Sequence, residues 1–77
     1  MSRRVAAEIR SRLGQLNINK HQLAVALGEN DVWVGRRIAG GVRQVPIDLN
    51  DLERIAAVLG VHPNTLITDA VARDDPT

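Results

Sequence analysis

The sequence predicts an all-α fold of four to five short helices in one compact domain over residues 1–72. Three observations favour this class. Apolar residues recur every three or four positions along most of the chain. Residues that favour helix ends, mainly Asn, Asp and Gly, separate the apolar segments. The chain of 77 residues has no cysteine, and tryptophan is its single aromatic residue, so the core must be built from aliphatic side chains.

The apolar spacing and the end signals predict helices over residues 4–16, 20–27, 31–39, 49–59 and 63–72, followed by a frayed acidic tail over residues 73–77. The first helix has one apolar stripe, formed by Val5, Ile9, Leu13 and Leu16. Its arginines lie off this stripe and face solvent or phosphate. Asn17 follows the helix and suits a left-handed carboxyl-terminal cap.

The second predicted helix begins after Asn19, which can form a reciprocal capping box with Gln22. Ile18 can pack against an apolar residue one turn into this helix, and Gly28 ends it. Together with the third helix after it, this segment has the layout of a helix-turn-helix.

In the third predicted helix, a step of 100° per residue places Val34 and Ile38 inward. The same step places Val32 and Arg36 on the outward face. Gly35 costs about 1 kcal/mol of helix propensity relative to alanine, which is explained if the helix lies close to something flat.

The fourth predicted helix is signalled by Asp48 as its amino-terminal cap and by Ile47, which can pack against the helix it precedes. Gly60 ends it. Pro63 then occupies the first position of the fifth helix, where proline is favoured.

The charge of the chain is divided unevenly along its length. Through Arg43 there are eight basic and three acidic residues, a net charge of +5; after it there are two basic and six acidic residues, a net charge of −4. This asymmetry suits a basic half that faces an anionic partner, although two ordinarily solvated faces would produce it equally well.

The central segment resembles the helix-turn-helix of the Cro/repressor (XRE-like) family of phage and bacterial regulators. The framework that carries the resemblance is Leu23-Ala24, Leu27-Gly28, Val34 and Ile38. The segments VGRRIAGG and DLNDLERIAAVLGV are also similar to small actinobacterial and actinophage members, and the resemblance covers residues 5–67. It implies a lambda-repressor-like domain that regulates transcription by binding double-stranded DNA, with the third helix in the major groove. The acids Glu29 and Asp31, and a longer loop over residues 40–46, depart from the family pattern.

On this interpretation four residues at or on the third helix read bases: Asn30, Asp31, Val32 and Arg36. Arg36 is the best candidate because a guanidinium grips guanine O6 and N7 bidentately. The residues expected to bind phosphate are Lys20, Arg37 and Arg43. Each has a simpler alternative: Arg36 can be a solvated surface residue, and Arg37 can lie along Trp33 and pair with an acid.

The same residue inventory argues against other classes of function. His21 and His62 lie on separate helices and cysteine is absent, so we expect no metal site. No catalytic spacing or phosphate-binding glycine motif occurs, and we expect no enzyme activity, cofactor or small-molecule ligand. The first residues lack the apolar run of a signal peptide and no stretch is long enough to span a bilayer, so we expect the cytoplasm of a bacterial host.

The main alternative function is a protein-interaction module, such as an antitoxin or an antirepressor with the same fold. An apolar patch on the fifth helix would serve this role or form a homodimer on a two-fold operator. Its candidate residues are Leu66, Ile67 and Val71, which could equally close the core of the monomer.

Overall fold

The structure, a computed structural model, describes residues 2–39 and 44–72. These residues form five α-helices and no strand, which confirms the all-α class. In chain order the helices are α1 (Ser2–Leu16), α2 (Lys20–Leu27), α3 (Asp31–Ile38), α4 (Leu49–Leu59) and α5 (Pro63–Ala72). α1 begins two residues before its predicted start, and α3 ends one residue early because Ala39 is its cap. The predicted tail over residues 73–77 lies outside the described residues.

Hydrogen bonds to cap side chains determine where α2 and α4 begin. At α2, the Gln22 N–H donates to the Asn19 side-chain oxygen at 2.8 Å, and the Asn19 N–H donates to the Gln22 side chain at 2.9 Å. At α4, the Asp51 N–H donates to the Asp48 carboxylate at 2.7 Å. Each cap satisfies a backbone donor that the helix cannot pair itself, and losing one costs about 1 kcal/mol. Both caps are those that the sequence predicts.

Residues with left-handed backbone conformations end the first, second and fourth helices. Gly28 has φ 72° and Gly60 has φ 74°, and the N–H of each bonds back to carbonyls of the last helical turn. Asn17 follows α1 with φ 61° and is the only non-glycine residue with positive φ among those described. All three positions agree with the sequence prediction.

The core is aliphatic and receives side chains from all five helices. Its buried members are Val5, Ile9, Leu13, Leu23, Ala24, Val34, Ile38, Leu52, Ile55, Ala56, Leu59, Leu66 and Ala70. Burying one large aliphatic side chain contributes about 1.5–3 kcal/mol. Ile18, Ile47 and Val61, which lie shortly before α2, α4 and α5, are partly buried against this core, and Trp33 is as well.

α1 packs against α5 and α3, and a charged network reinforces the contact with α5. Arg12 donates from Nε to the Glu8 carboxylate at 2.9 Å and from Nη2 to the Asp69 carboxylate on α5. Glu8 itself is buried. Arg12 therefore holds two helices together, and the expectation that the arginines of α1 all face solvent or phosphate is wrong for this residue.

The patch predicted on α5 is not a continuous surface. Leu66 is fully buried in the core, and Ile67 packs against the core while half-buried. Only Val71 is an exposed large apolar side chain, at 47% of its surface. Leu66 therefore cannot contribute to an interface, because the monomer already covers it.

α4 and α5 meet at a sharp bend of 97°. Gly60 makes the turn, and the His62 side chain then accepts from the Asn64 N–H at 3.1 Å at the start of α5. No single helix in residues 2–39 or 44–72 is long and apolar enough to cross a membrane. α4 and α5 reach the length and apolar composition of a membrane span only when the two are taken together, across the bend.

Two glycine-to-alanine substitutions should change stability in opposite directions. Gly60→Ala should lower the free energy of unfolding by about 1 kcal/mol, because alanine resists positive φ. Gly14→Ala should raise it by about 1 kcal/mol, because Gly14 lies inside α1. A Cβ added at either position meets no atom within 4 Å, so crowding contributes to neither effect. Urea unfolding followed by circular dichroism measures both, and changes of the same sign would contradict this account.

Candidate nucleic-acid interface

α2 and α3 are joined by a short turn that fixes their relative direction. Gly28 takes the left-handed conformation, and the Glu29 N–H donates to the Ala24 carbonyl at 2.9 Å. The Asn30 side chain then accepts from the Trp33 N–H at 2.8 Å and caps α3. The side-chain oxygen of Asn30 therefore has a structural role. Its side-chain amide hydrogens remain able to donate to a ligand.

The outward face of α3 is where the sequence predicts it. Val34 and Ile38 are fully buried, whereas Val32 keeps 59% of its surface exposed and Arg36 is exposed. The Arg36 side chain makes no hydrogen bond or ion pair with any residue in the described ranges. Its guanidinium is available to an external acceptor.

Gly35 lies between Val32 and Arg36 in sequence, on a flank of α3, and is not explained by packing against the described residues. A Cβ built on Gly35 meets no atom within 4 Å. Alanine would fit and would favour the helix. The absence of a side chain leaves the backbone of α3 free for close approach by another surface.

Asp31, the first residue of α3, is held by a side chain of α2. Its carboxylate lies 2.9 Å from Nδ1 of His21, and both side chains are largely exposed, at 62% and 69%. This contact was not predicted, because the two residues are separated in sequence and no local pattern couples them. It places a second titratable group beside the acid at the start of α3.

Lys20, the first residue of α2, is exposed beside an open groove of about 350 Å³. The groove is lined by Arg10, Leu13, Gly14, Ile18, Asn19, Lys20, Ile38 and Ala39. Arg10 does not point freely into solvent, since its Nη1 donates to the Ile38 carbonyl. Lys20 has no side-chain partner among residues 2–39 and 44–72, and its ammonium can therefore meet an anion at the amino terminus of α2.

Arg37 lies on the opposite flank of α3 and is used by the fold. Its Nε donates to the Asp51 carboxylate on α4 at 3.1 Å, and its Nη1 donates to the Trp33 carbonyl at 3.3 Å. The guanidinium also stacks over the Trp33 ring, with its carbon 4.1 Å from the ring centroid. This is the alternative that the sequence left open, in which Arg37 lies along Trp33 and pairs with an acid.

Arg54 of α4 is a structural residue that sequence reasoning missed. Its Nη2 donates to the Leu27 carbonyl at 2.6 Å and to the Glu29 carboxylate at 3.1 Å, and its guanidinium lies 5.4 Å from the Trp33 centroid. One signal was present in the sequence: Arg54 is an isolated cation in the acidic half. Through this pair Arg54 holds Glu29, one of the two acids next to the start of α3.

One connected surface results, which we call the α2–α3 surface: Lys20, His21, Asp31, Val32 and Arg36. It contains a cation at the start of α2, a carboxylate held by His21, an exposed apolar side chain and a guanidinium with no partner among residues 2–39 and 44–72. Arg43, the third predicted phosphate-binding residue, lies outside the described residues.

Comparison with known proteins finds no relative of this chain. No family model, no curated protein and no solved structure matches the chain. What the chain binds must therefore be inferred from the α2–α3 surface itself.

The two neighbouring arginines of α3 should differ in their effect on stability. Arg37→Ala should lower the free energy of unfolding by about 2 kcal/mol, because the nearly buried Asp51 carboxylate loses its charged partner. Arg36→Ala, the matched control, should change it by less than about 0.5 kcal/mol. Urea unfolding followed by circular dichroism gives both values. Equal losses would contradict the division of roles between the two residues.

Proposed function

We propose that this chain is a sequence-specific, double-stranded DNA-binding transcriptional regulator of the Cro/repressor type, with α3 placed in the major groove. The observation that carries the proposal is the outward face of α3. Arg36 has no partner in the described part of the domain, Val32 is exposed and Gly35 leaves the backbone open. Side chains that the fold does not use, on a helix that the fold holds rigidly, are suited to recognising a ligand.

The dimensions of α3 agree with this role. An α-helix with its side chains is about 10–12 Å across, and the major groove of B-DNA is about 12 Å wide. The eight residues of α3 span about 12 Å along the helix axis. A helix of this length meets only a few base pairs, so the domain gains specificity from a small number of side chains.

Each residue of the outward face has a matching base. Arg36 reads guanine by donating to O6 and N7, and Val32 contacts a thymine methyl group. Asp31 accepts from cytosine N4, and Asn30 offers its remaining amide hydrogens to a base edge or a backbone oxygen. Three of these four residues are polar, so the helix can distinguish base pairs by the hydrogen bonds that they form.

Lys20 supplies the phosphate contact that positions α3. It lies at the amino terminus of α2, where backbone N–H groups and the helix dipole also favour an anion. Arg12 and Arg37 are held by carboxylates, so fewer cations are available than the +5 charge of the amino-terminal half suggests. Arg43 is retained here as a proposed phosphate ligand from the sequence alone.

A two-fold operator is the arrangement we propose for full affinity. One small domain reads few base pairs, and two domains on half-sites about one helical turn apart double the number of contacts. With Leu66 inside the core, the exposed Val71 is what remains of the patch proposed to join two copies.

Selection of bound duplexes from random DNA, at low and at physiological salt, tests the function. Recovery of one motif is the expected result, and a palindromic motif would identify a dimer. The affinity should fall with salt by about 0.9 log units per log unit of salt for each phosphate contacted. Recovery of no motif would contradict the proposal and favour a protein-interaction module such as an antitoxin or antirepressor.

Two substitutions should separate base reading from phosphate binding. Arg36→Ala should weaken binding to the selected duplex by about 1–3 kcal/mol and relax the preference at one base position. Lys20→Ala should weaken binding to all sequences alike and reduce the salt slope by about 0.9. Fluorescence anisotropy of labelled duplexes measures both. Undiminished binding by Arg36→Ala would show that the reading face is placed wrongly.

A further inference from the structure

The contact between His21 and Asp31 raises a question that the proposed function does not answer. Asp31 is the only carboxylate on the α2–α3 surface, and that surface is proposed to face a polyanion. An exposed carboxylate brought towards phosphates is repelled unless a cation accompanies it. His21 is the group in contact with it, at 2.9 Å.

The chemistry of imidazole determines what His21 can do in this position. A neutral imidazole has one N–H and one acceptor nitrogen, so donating from Nδ1 to Asp31 leaves Nε2 as an acceptor that cannot bind phosphate. A protonated imidazolium donates from both nitrogens. It can therefore hold the carboxylate on one side and a phosphate oxygen on the other.

We propose that His21 bridges Asp31 and a DNA phosphate as an imidazolium, so that the domain takes up a proton when it binds DNA. The inference rests on the proposed function. His21 is the second residue of α2, next to Lys20, and its ring is 69% exposed on the side of α3 that carries Asp31. A cation between two anions is stabilised by both of them, and DNA supplies the second.

Most other charged groups on the helices packed against α2 are engaged; Arg36 of α3 is not, since its guanidinium has no partner among the described residues. α3 and α4 are the helices with extensive packing against α2. From α3, Asp31 faces His21, while Arg37 faces Asp51. From α4, Arg54 is paired with Glu29 at the other end of α2. Lys20 is adjacent on α2 itself.

The expected signature is DNA binding that weakens as the pH rises. If the complex holds one more proton than the free domain, the dissociation constant increases by up to tenfold per pH unit over the range in which imidazole titrates, about pH 5 to 8. Wherever the free and the bound domain hold the same number of protons, the dependence levels off. Lys20→Ala should weaken binding by a constant factor at every pH.

The experiment measures the dissociation constant of the selected duplex from pH 5.5 to 8.5 for the wild type and two variants. His21→Asn retains a donor towards Asp31 but cannot be protonated, and it should bind with a nearly constant affinity close to that of the wild type at pH 8. His62→Gln is the matched control, because His62 is the only other histidine and caps α5. It should keep the wild-type pH dependence. Titration calorimetry in buffers of different ionisation enthalpy then counts the protons taken up.

The outcomes separate this inference from the proposed function. Loss of the pH dependence in His21→Asn alone, with proton uptake by the wild type, supports the bridge. Motif-specific binding with a constant dissociation constant in the wild type overturns the bridge and leaves the proposed function standing. A pH dependence that survives in His21→Asn, or that is lost in His62→Gln, also overturns it. Failure of the wild type to bind any duplex at any pH overturns both.

Discussion

The arrangement of the two central helices depends on one stack of side chains at the edge of the core. The Trp33 ring lies near the guanidinium groups of Arg37, from its own helix, and Arg54, from α4. Arg37 is anchored on Asp51, and Arg54 donates to the carbonyl of Leu27 at the end of α2. Side chains of α4 thus bind both α2 and α3 on the side opposite the outward face of α3. This fixes the direction in which α3 projects without using any side chain of its outward face.

The distribution of arginines follows from that arrangement. A guanidinium that has planar acceptors within reach becomes part of the fold, as Arg12 and Arg54 do, because pairing offsets the cost of partial burial. The guanidinium of Arg36, which has no hydrogen-bond or ion-pair partner in the described part of the chain, stays hydrated and available. The proposed reading surface therefore includes side chains, such as those of Val32 and Arg36, that the packing of the five helices does not use.

The local features of this fold could be predicted from sequence, and the long-range pairings could not. Caps such as Asn19 and Asp48 act on donors only two or three residues away, and the burial of Val34 fixes the outward face of α3 through helical geometry alone. The partner of Arg12, by contrast, lies 57 residues along the chain. Such pairings require the relative positions of whole helices, which spacing does not encode. The same reason explains why the His21 contact went unpredicted.

The stack at Trp33 also gives the domain a built-in optical probe. Trp33 is the single tryptophan of the chain and there is no tyrosine, so ultraviolet emission comes from one known place. One of its two cationic neighbours, Arg54, belongs to α4 and lies near the ring only while α4 is docked against α3, whereas Arg37 belongs to the same helix as the ring. A loosening of α4 from α3 takes Arg54 away from the ring, and the emission of Trp33 therefore reports on that contact.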